Sequence, residues 1–318
     1  MSNKKSFGLI VNYNAGKVKS GVYKREFFEK TFGNDCLIRE TKVLDDVLKA
    51  LKEFQDFGVE YLIIFGGDGT HQNVITQILR SNIVFKYIVP LKGGTMNMLV
   101  KDIGLGNSYI KVIKKLKELY SCNSKEILSF EKPVLSVTVN SEESHYGFYF
   151  ANGVIYKILK KYYESPSSVY NAMKVTLKGL LGSFISSHSY SNLFDFIDCN
   201  VIHDEQIHPQ SKYLGIMLST LNRVVFNMKP FIQKINSKDQ FCFTGYAFPK
   251  KDLIRHFIPL AKGKLVKGSK VYSLTPKTLV LECDTGFVLD GEIHNINEPS
   301  KINIEIGGYL NIPIITAK

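Results

Sequence analysis

The residues whose chemistry is easiest to name stand in five consecutive positions, Gly66-Gly67-Asp68-Gly69-Thr70. Glycine tolerates positive φ and lets a ligand come close to the backbone. The apolar run Leu62 to Phe65 precedes the turn and reads as a strand buried on both faces. Val74, Ile75, Ile78 and Leu79 follow at helical spacing, with Thr70 as the expected N-cap. Free amides at a helix N-terminus are a seat for phosphate. Asp68 does not suit direct phosphate contact, because like charges repel. It suits the turn if a divalent cation lies between the two, or if it orients a donor. The competing reading is ordinary turn punctuation, since turns commonly use Gly and Asp.

A second turn shifts the balance. Ile88 to Leu91 is another short apolar strand, and Lys92-Gly93-Gly94-Thr95-Met96-Asn97 leads from it into a helical segment. Two strand–glycine–helix turns close in sequence line one ligand crevice at the carboxyl edge of a parallel sheet. Neither Gly-x4-Gly-Lys-Ser/Thr nor Gly-x-Gly-x-x-Gly occurs, so the chain is not a P-loop enzyme and carries no dinucleotide fingerprint. Lys17, in a polar loop, could neutralise phosphate charge or simply be solvated. Asp290-Gly291 reads on its own as a hairpin turn.

Together these stretches resemble the diacylglycerol kinase catalytic domain family, which includes bacterial lipid kinases and sphingosine kinases and is related to NAD kinases. The resemblance rests on Gly66-Gly67-Asp68-Gly69-Thr70 followed by Gly94-Thr95-Met96-Asn97. Asn12-Tyr13-Asn14-Ala15-Gly16-Lys17 is similar to the family's Asn-Pro-x-Ser-Gly loop, and Asp290-Gly291-Glu292 to its Asp-Gly-Glu signature. The matches run in family order from residue 7 to residue 292. The resemblance implies ATP and magnesium as cofactors. It implies nucleotide binding by Asn12, Gly16, Lys17, Gly66, Gly67, Gly69, Thr70, Gly94, Thr95 and Asn97. Asp68 would organise the metal, Asp290 would be the general base, and Glu292 would support Asp290 or a metal. There are departures. Asn73 and Met98 stand where the family often places Glu and usually places Asp, which puts the metal and water network in doubt. Lys238-Asp239-Gln240 is a weak counterpart of the family's structural-metal turn.

The elements that must position these residues alternate. A strand over Phe7–Val11, a helix over Tyr23–Phe32, a short strand at Cys36–Ile38 and an amphipathic stripe from Leu44 to Phe54 precede the first glycine turn. A lysine-rich helix over Tyr109–Leu119 follows the second. This rhythm implies right-handed βαβ units and a mostly parallel, Rossmann-like sheet. Near residue 130 it changes to β-dominated runs, at Val134–Val139, Tyr146–Phe150, Leu193–Ile202, Leu214–Leu218, Phe241–Ala247, Leu279–Glu282 and Gly286–Leu289, a sandwich or barrel-like sheet. A long helical insert is expected between Tyr156 and Phe184, broken near Ser165-Pro166. Its 173–185 stretch reads as a core helix or, more sharply, a lipid-interface helix. The expected division is an α/β ATP-binding domain over 1–130, with a returning segment at about 303–318, and a β-rich substrate-binding domain over 131–302.

Composition bounds the rest. A hydrophobic fraction of 44% over 318 residues is enough for a real core. The net charge of +12 favours an acidic partner such as nucleic acid, an anionic membrane or a nucleotide, with solubility as the alternative because the lysines are spread out. Of these, nucleic acid is not expected, and homodimerisation stays open. No apolar run approaches the roughly 20 residues that cross a bilayer, and Met-Ser-Asn-Lys-Lys does not resemble a secretory signal. The five cysteines are isolated and odd in number, which argues for a reducing compartment and against a disulfide framework. His203 and His208 have neither zinc-helix nor zinc-finger spacing. The expectation is a cytoplasmic, peripherally membrane-associated lipid kinase acting on a diacylglycerol- or sphingoid-like hydroxyl. The alternatives are a kinase of a soluble hydroxyl compound and a non-catalytic nucleotide- or lipid-binding protein.

Overall fold

The computed structural model describes residues 4–106, 108–122, 127–163, 192–224, 228–264, 268 and 270–315. The chain divides into two units, 1–134 with 307–318, and 135–306.

In the first unit β1 (Phe7–Asn12), β2 (Cys36–Thr41), β3 (Tyr61–Gly66) and β4 (Tyr87–Lys92) form a parallel sheet in the order β2-β1-β3-β4. Its strands are short apolar runs because both faces are covered. The helices are α1 (Gly16–Lys19), α2 (Arg25–Phe32), α3 (Leu44–Asp56), α4 (Asp68–Arg80), α5 (Met98–Asp102) and α6 (Tyr109–Ser121). Period-two alternation along β1 sends Phe7, Leu9 and Val11 into one core with Phe28, Ile63, Phe65, Val89, Tyr109 and Leu116. Phe28 and Tyr109 stack there at 5.6 Å. The returning segment also belongs to this unit: Asn311 Nδ2 donates to Lys86 O at 2.8 Å, and Ile314 N to Leu128 O at 2.7 Å.

Among the described residues of this unit, one ion pair is buried. Lys132 Nζ lies 2.7 Å from Asp102 Oδ2, with side chains 8% and 3% exposed. Removing one partner of such a pair leaves an uncompensated charge and typically costs about 3–5 kcal/mol, whereas a well-packed apolar replacement of both is often near neutral. Lys132→Met is therefore expected to lose about that much in urea unfolding, and Lys132→Met with Asp102→Leu to recover most of it. Equal losses in the single and double variants would rule out the charge as the cause.

The second unit is built on two sheets. One has the order β10-β8-β14-β17-β5-β6, with β9 paired to β8. Its strands are β5 (Ser129–Val139), β6 (His145–Gly147), β8 (Ile197–His203), β9 (Gln206–Ile207), β10 (Lys212–Tyr213), β14 (Thr278–Cys283) and β17 (Ser300–Pro313). The other has the order β13-β12-β11-β7-β15-β16, from β7 (Tyr149–Asn152), β11 (Gly215–Ser219), β12 (Cys242–Tyr246), β13 (Val271–Leu274), β15 (Phe287–Leu289) and β16 (Glu292–His294). Leu135, Phe150, Ile216, Phe243, Leu281, Phe287 and Ile302 come from both sheets into one core, so this half is a sandwich. Among the described residues its helices are α7 (Val154–Tyr163) and α8 (Leu253–Ala261).

Several local expectations change. The helix expected from Tyr156 begins at Val154 and is described to Tyr163; the 173–185 stretch lies outside the described residues. The strand expected from Leu193 begins at Ile197, after one 3-10 turn. The loop of His203 and His208 is a tight hairpin with Asp204 and Glu205 at positive φ. His208 Nδ1 lies 3.0 Å from Tyr213 Oη, a structural role for that ring. Asp239 pairs with Lys277 at 2.6 Å. No cluster of three or more His, Cys, Asp or Glu suited to a metal occurs among the described residues.

Candidate active site

The parallel sheet sets the carboxyl ends of β1, β3 and β4 side by side. Val11 lies opposite Phe65, and Gly66 opposite Lys92, so Asn12 and both glycine turns emerge at one edge. The strand order reverses between β1 and β3, where ligands bind in open α/β sheets.

The glycines serve a close approach of backbone to backbone. Gly93 N donates to Gly66 O at 2.7 Å. A Cβ added at Gly93 would stand 2.7 Å from Gly66 Cα, and one at Gly94 would stand 2.6 Å from Gly67 Cα. No side chain fits between the turns at Gly67, Gly93 or Gly94, and a Cβ at Gly66 would collide with Thr70 instead. Helix α4 begins at Asp68 with Gly67 as its N-cap, so Thr70 is not the cap that sequence pattern suggested. The reason is that Thr70 is committed elsewhere: it is buried, and its Oγ1 accepts from Asn12 Nδ2 at 2.8 Å. Asn12 Oδ1 in turn accepts from Asn14 N at 2.8 Å. The Asn12 amide thus holds its own loop against α4. Gly67 offers no side-chain cap, leaving the first-turn amides of α4 open to an anion.

Asp68 joins the two turns. Its Oδ2 accepts from Asn97 N at 2.7 Å and its Oδ1 from Met98 N at 2.6 Å, which caps the start of α5. Asn97 is fully buried and left-handed, with φ of 48°. Its Oδ1 accepts from Gly94 N at 3.0 Å, and its Nδ2 donates to Gly94 O at 2.6 Å. Of the two readings of Asp68, orienting donors is the one these contacts display. Thr95 is exposed at the turn, Gly16 opens α1 with free space around it, and Lys17 lies in α1. Met98 is 4% exposed and sits in the core.

His71, which sequence reasoning passed over, follows Asp68 by three residues on α4 and is fully buried. Burial holds its pKa below the usual imidazole value although Asp68 pulls it up. His294 in the second unit is pushed down to about 4 by burial, with His145 adding to the shift. The unfolded chain takes up protons near 6.5 while these folded rings resist, so stability is full above that pH and is lost as pH falls towards the lowered folded values. The urea midpoint is expected to drop progressively between about pH 6.5 and 4, as the unfolding free energy falls by up to about 1.4 kcal/mol per pH unit for each ring. His71→Gln is expected to flatten the profile, and a midpoint unchanged from pH 7 to 5 would contradict it.

Asp290 and Glu292 belong to the second unit. Asp290 and Gly291, at φ of 50° and 98°, form the two-residue turn between β15 and β16. The hairpin reading is thus correct as geometry, yet the carboxylate is not idle. Asp290 is 6% exposed. Its Oδ1 accepts from Tyr149 N at 2.9 Å and Phe148 N at 3.1 Å, and its Oδ2 from Phe148 N at 3.0 Å. Beside the turn an open cleft of about 490 Å³ is lined by Lys160, Tyr163, Gly291, Glu292, Ile293 and Asn295. Surrounding protein raises the Glu292 carboxyl above its ordinary range by desolvation, though the side chain keeps an exposed rim.

Residues 6–126 match the family model of the diacylglycerol kinase catalytic domain. Among solved structures, a diacylglycerol kinase from Bacillus anthracis str. Sterne is similar over 98% of this chain and 98% of its own, with a TM-score of 0.64 at 16% identity. Yeast NADH kinase, complexed with NADH, is similar over 98% of this chain and 84% of its own, with a TM-score of 0.54 at 12% identity. No curated protein sequence matches. The structural likeness shows a shared fold over the whole chain, and residues 6–126, which hold both interlocked glycine turns, match the diacylglycerol kinase catalytic domain family.

Proposed function

We infer that this protein is a kinase that transfers the γ-phosphate of ATP to the hydroxyl of a lipid at a membrane surface. The observation that carries the reading is the pair of glycine turns locked by Asp68 at the carboxyl edge of a parallel sheet. The uncapped amides of α4 receive phosphate oxygens. Lys17, in α1, and Thr95, exposed at the second turn, are further proposed contacts to the nucleotide. Asn12 and Asn97 act by fixing their loops. Asp68 is the one carboxylate of the two turns, and each of its oxygens keeps a lone pair. That fits a magnesium ion that travels with the nucleotide and keeps most of its waters, rather than one held in a protein cage. Such an ion neutralises charge on the transferring phosphoryl group. Asp290 is the proposed base: two backbone amides fix its carboxylate, and the adjacent cleft receives the acceptor, with Glu292 at its rim.

A specific observation supports a second reading. Met98 is buried where the related kinases usually place Asp, so no carboxylate joins Asp68 there. A weakened or non-catalytic nucleotide binder is the consequence. Magnesium-ATP turnover against diacylglycerol, a sphingoid base and NAD, each presented with mixed vesicles, decides among the readings. Phosphorylated lipid supports the proposal. Phosphorylated NAD alone supports the soluble-acceptor branch, which the NADH kinase fold makes worth including. ATP binding without turnover on any acceptor would leave a binding protein.

A further inference from the structure

The cysteines are scattered in sequence, and all five are free thiols. The second unit brings two of them face to face. In the antiparallel pairing of β8 with β14, Cys199 stands directly opposite Cys283. The amide of Cys199 donates to Ser211 O on the other flank of β8, at 2.8 Å. It therefore points away from β14, and the two cysteines form a non-hydrogen-bonded pair. Pairs of that kind hold their Cα atoms about 4.5 Å apart, within the roughly 4.4–6.8 Å that a disulfide spans. The other paired cysteines differ: Cys36 stands opposite Phe7, and Cys242 opposite Ser219.

The surroundings distinguish the two thiols. Cys199 Sγ donates to Asn200 O and Cys283 Sγ to Thr285 O, each at 3.8 Å, and the interaction of the two thiols with each other holds Cys199 above the ordinary thiol range and draws Cys283 below it despite burial. Asn152 adds to the effect on Cys283. That side chain is fully buried; its Oδ1 accepts from Ile216 N at 2.9 Å, while its Nδ2 finds no conventional acceptor. Cys199 and Cys283 are 1% and 5% exposed, so a small neutral oxidant suits the pair and a bulky disulfide does not.

We propose that Cys199 and Cys283 are a two-electron oxidation site, a dithiol that hydrogen peroxide converts to a cross-strand disulfide joining β8 to β14. The Cys283 thiolate attacks the peroxide O–O bond; a sulfenic acid forms, and the departing hydroxide takes up a proton to become water. The Cys199 sulfur then attacks the Cys283 sulfur. The S–S bond forms, the S–O bond breaks, and the hydroxyl leaves with the Cys199 proton as a second water. Two thiols and one peroxide give one disulfide and two waters; the sulfurs lose two electrons and the peroxide gains them.

The test treats the folded full-length chain with graded hydrogen peroxide, removes the excess with catalase, alkylates under denaturing conditions and maps peptides by mass. A Cys199–Cys283 linked peptide about 2 Da lighter than its two thiol peptides is expected. The thermal midpoint is expected to rise by roughly 5–15 °C and to return on reduction. Cys199→Ser and Cys283→Ser should each lose both effects. If a variant folds poorly, the oxidised and re-reduced wild type carries the comparison alone. Absence of the linked peptide, conversion of Cys283 to sulfinic acid beside an alkylated Cys199, or a linked peptide that forms with a lowered midpoint would each overturn the proposal.

Discussion

Replacing Asp68 with alanine is expected to lower ATP-dependent phosphorylation by about 10²-fold or more, and to destabilise the first unit as well. Seen as a turn residue alone, Asp68 would be removable without harm to the fold. The contacts say otherwise. The amides of Asn97 and Met98 both end on its carboxylate, and both residues are buried. Each buried donor left unpaired costs about 1–3 kcal/mol. Helix α5 then loses its cap, and the second turn is free to drift from the first. A displacement of about 1 Å at a phosphoryl-transfer site costs on the order of 10²-fold in rate. The measurements are turnover, the urea midpoint and magnesium-ATP affinity. Asp68→Asn separates the causes, since it keeps one acceptor oxygen but removes the charge. If Asp68→Asn restored stability and turnover together, a role in binding metal would be excluded. If Asp68→Ala kept near-normal turnover, the whole site assignment would be wrong.

Asp290→Asn is expected to lower kcat by about 10²–10⁴-fold, the usual cost of losing a general base, with ATP affinity nearly unchanged. The change is not silent for the fold. Phe148 N points at both carboxylate oxygens and Tyr149 N at Oδ1, so an asparagine must turn its own N–H₂ towards an amide donor. About 1–3 kcal/mol of stability should go with it. A rate loss measured well below the shifted midpoint, in protein shown to be folded, is the decisive value. Suppose the rate survives while the midpoint falls. Then Asp290 is only the clasp of the β15–β16 turn, and the base lies elsewhere. Glu292, on the rim of the adjacent cleft, would be the next residue to change.

Local pattern was enough for some features of this chain. Leu62 to Phe65, followed by glycines and then Val74, Ile75 and Ile78, states strand, turn and helix within one short window, and β3 and α4 follow. Alternation of such units implies a parallel sheet, because a right-handed crossover returns each strand beside an earlier one. The β-dominated half was legible from strand-length apolar runs, and its sheets are there. Two glycine turns with an aspartate between strand and helix also pointed to the chemistry proposed here, since amides at a helix N-terminus are a seat for phosphate.

What sequence alone left open depends on partners far along the chain. Asp68 clasps amides about 30 residues away, and Asp290 clasps amides 141 and 142 residues away. Thr70 carries a cap residue's chemistry, but the Asn12 amide engages its hydroxyl, and the helix starts at Asp68 instead. The glycines look like ligand-binding freedom in sequence, whereas in the fold they let two turns touch. Cys199 and Cys283 look isolated until β8 and β14 pair in one register, and a shift of one residue would part them. Periodicity is written residue by residue, so it determines the elements. Register and backbone–side-chain clasps exist only after distant segments meet, so the tertiary structure decides which of the reactive residues become neighbours.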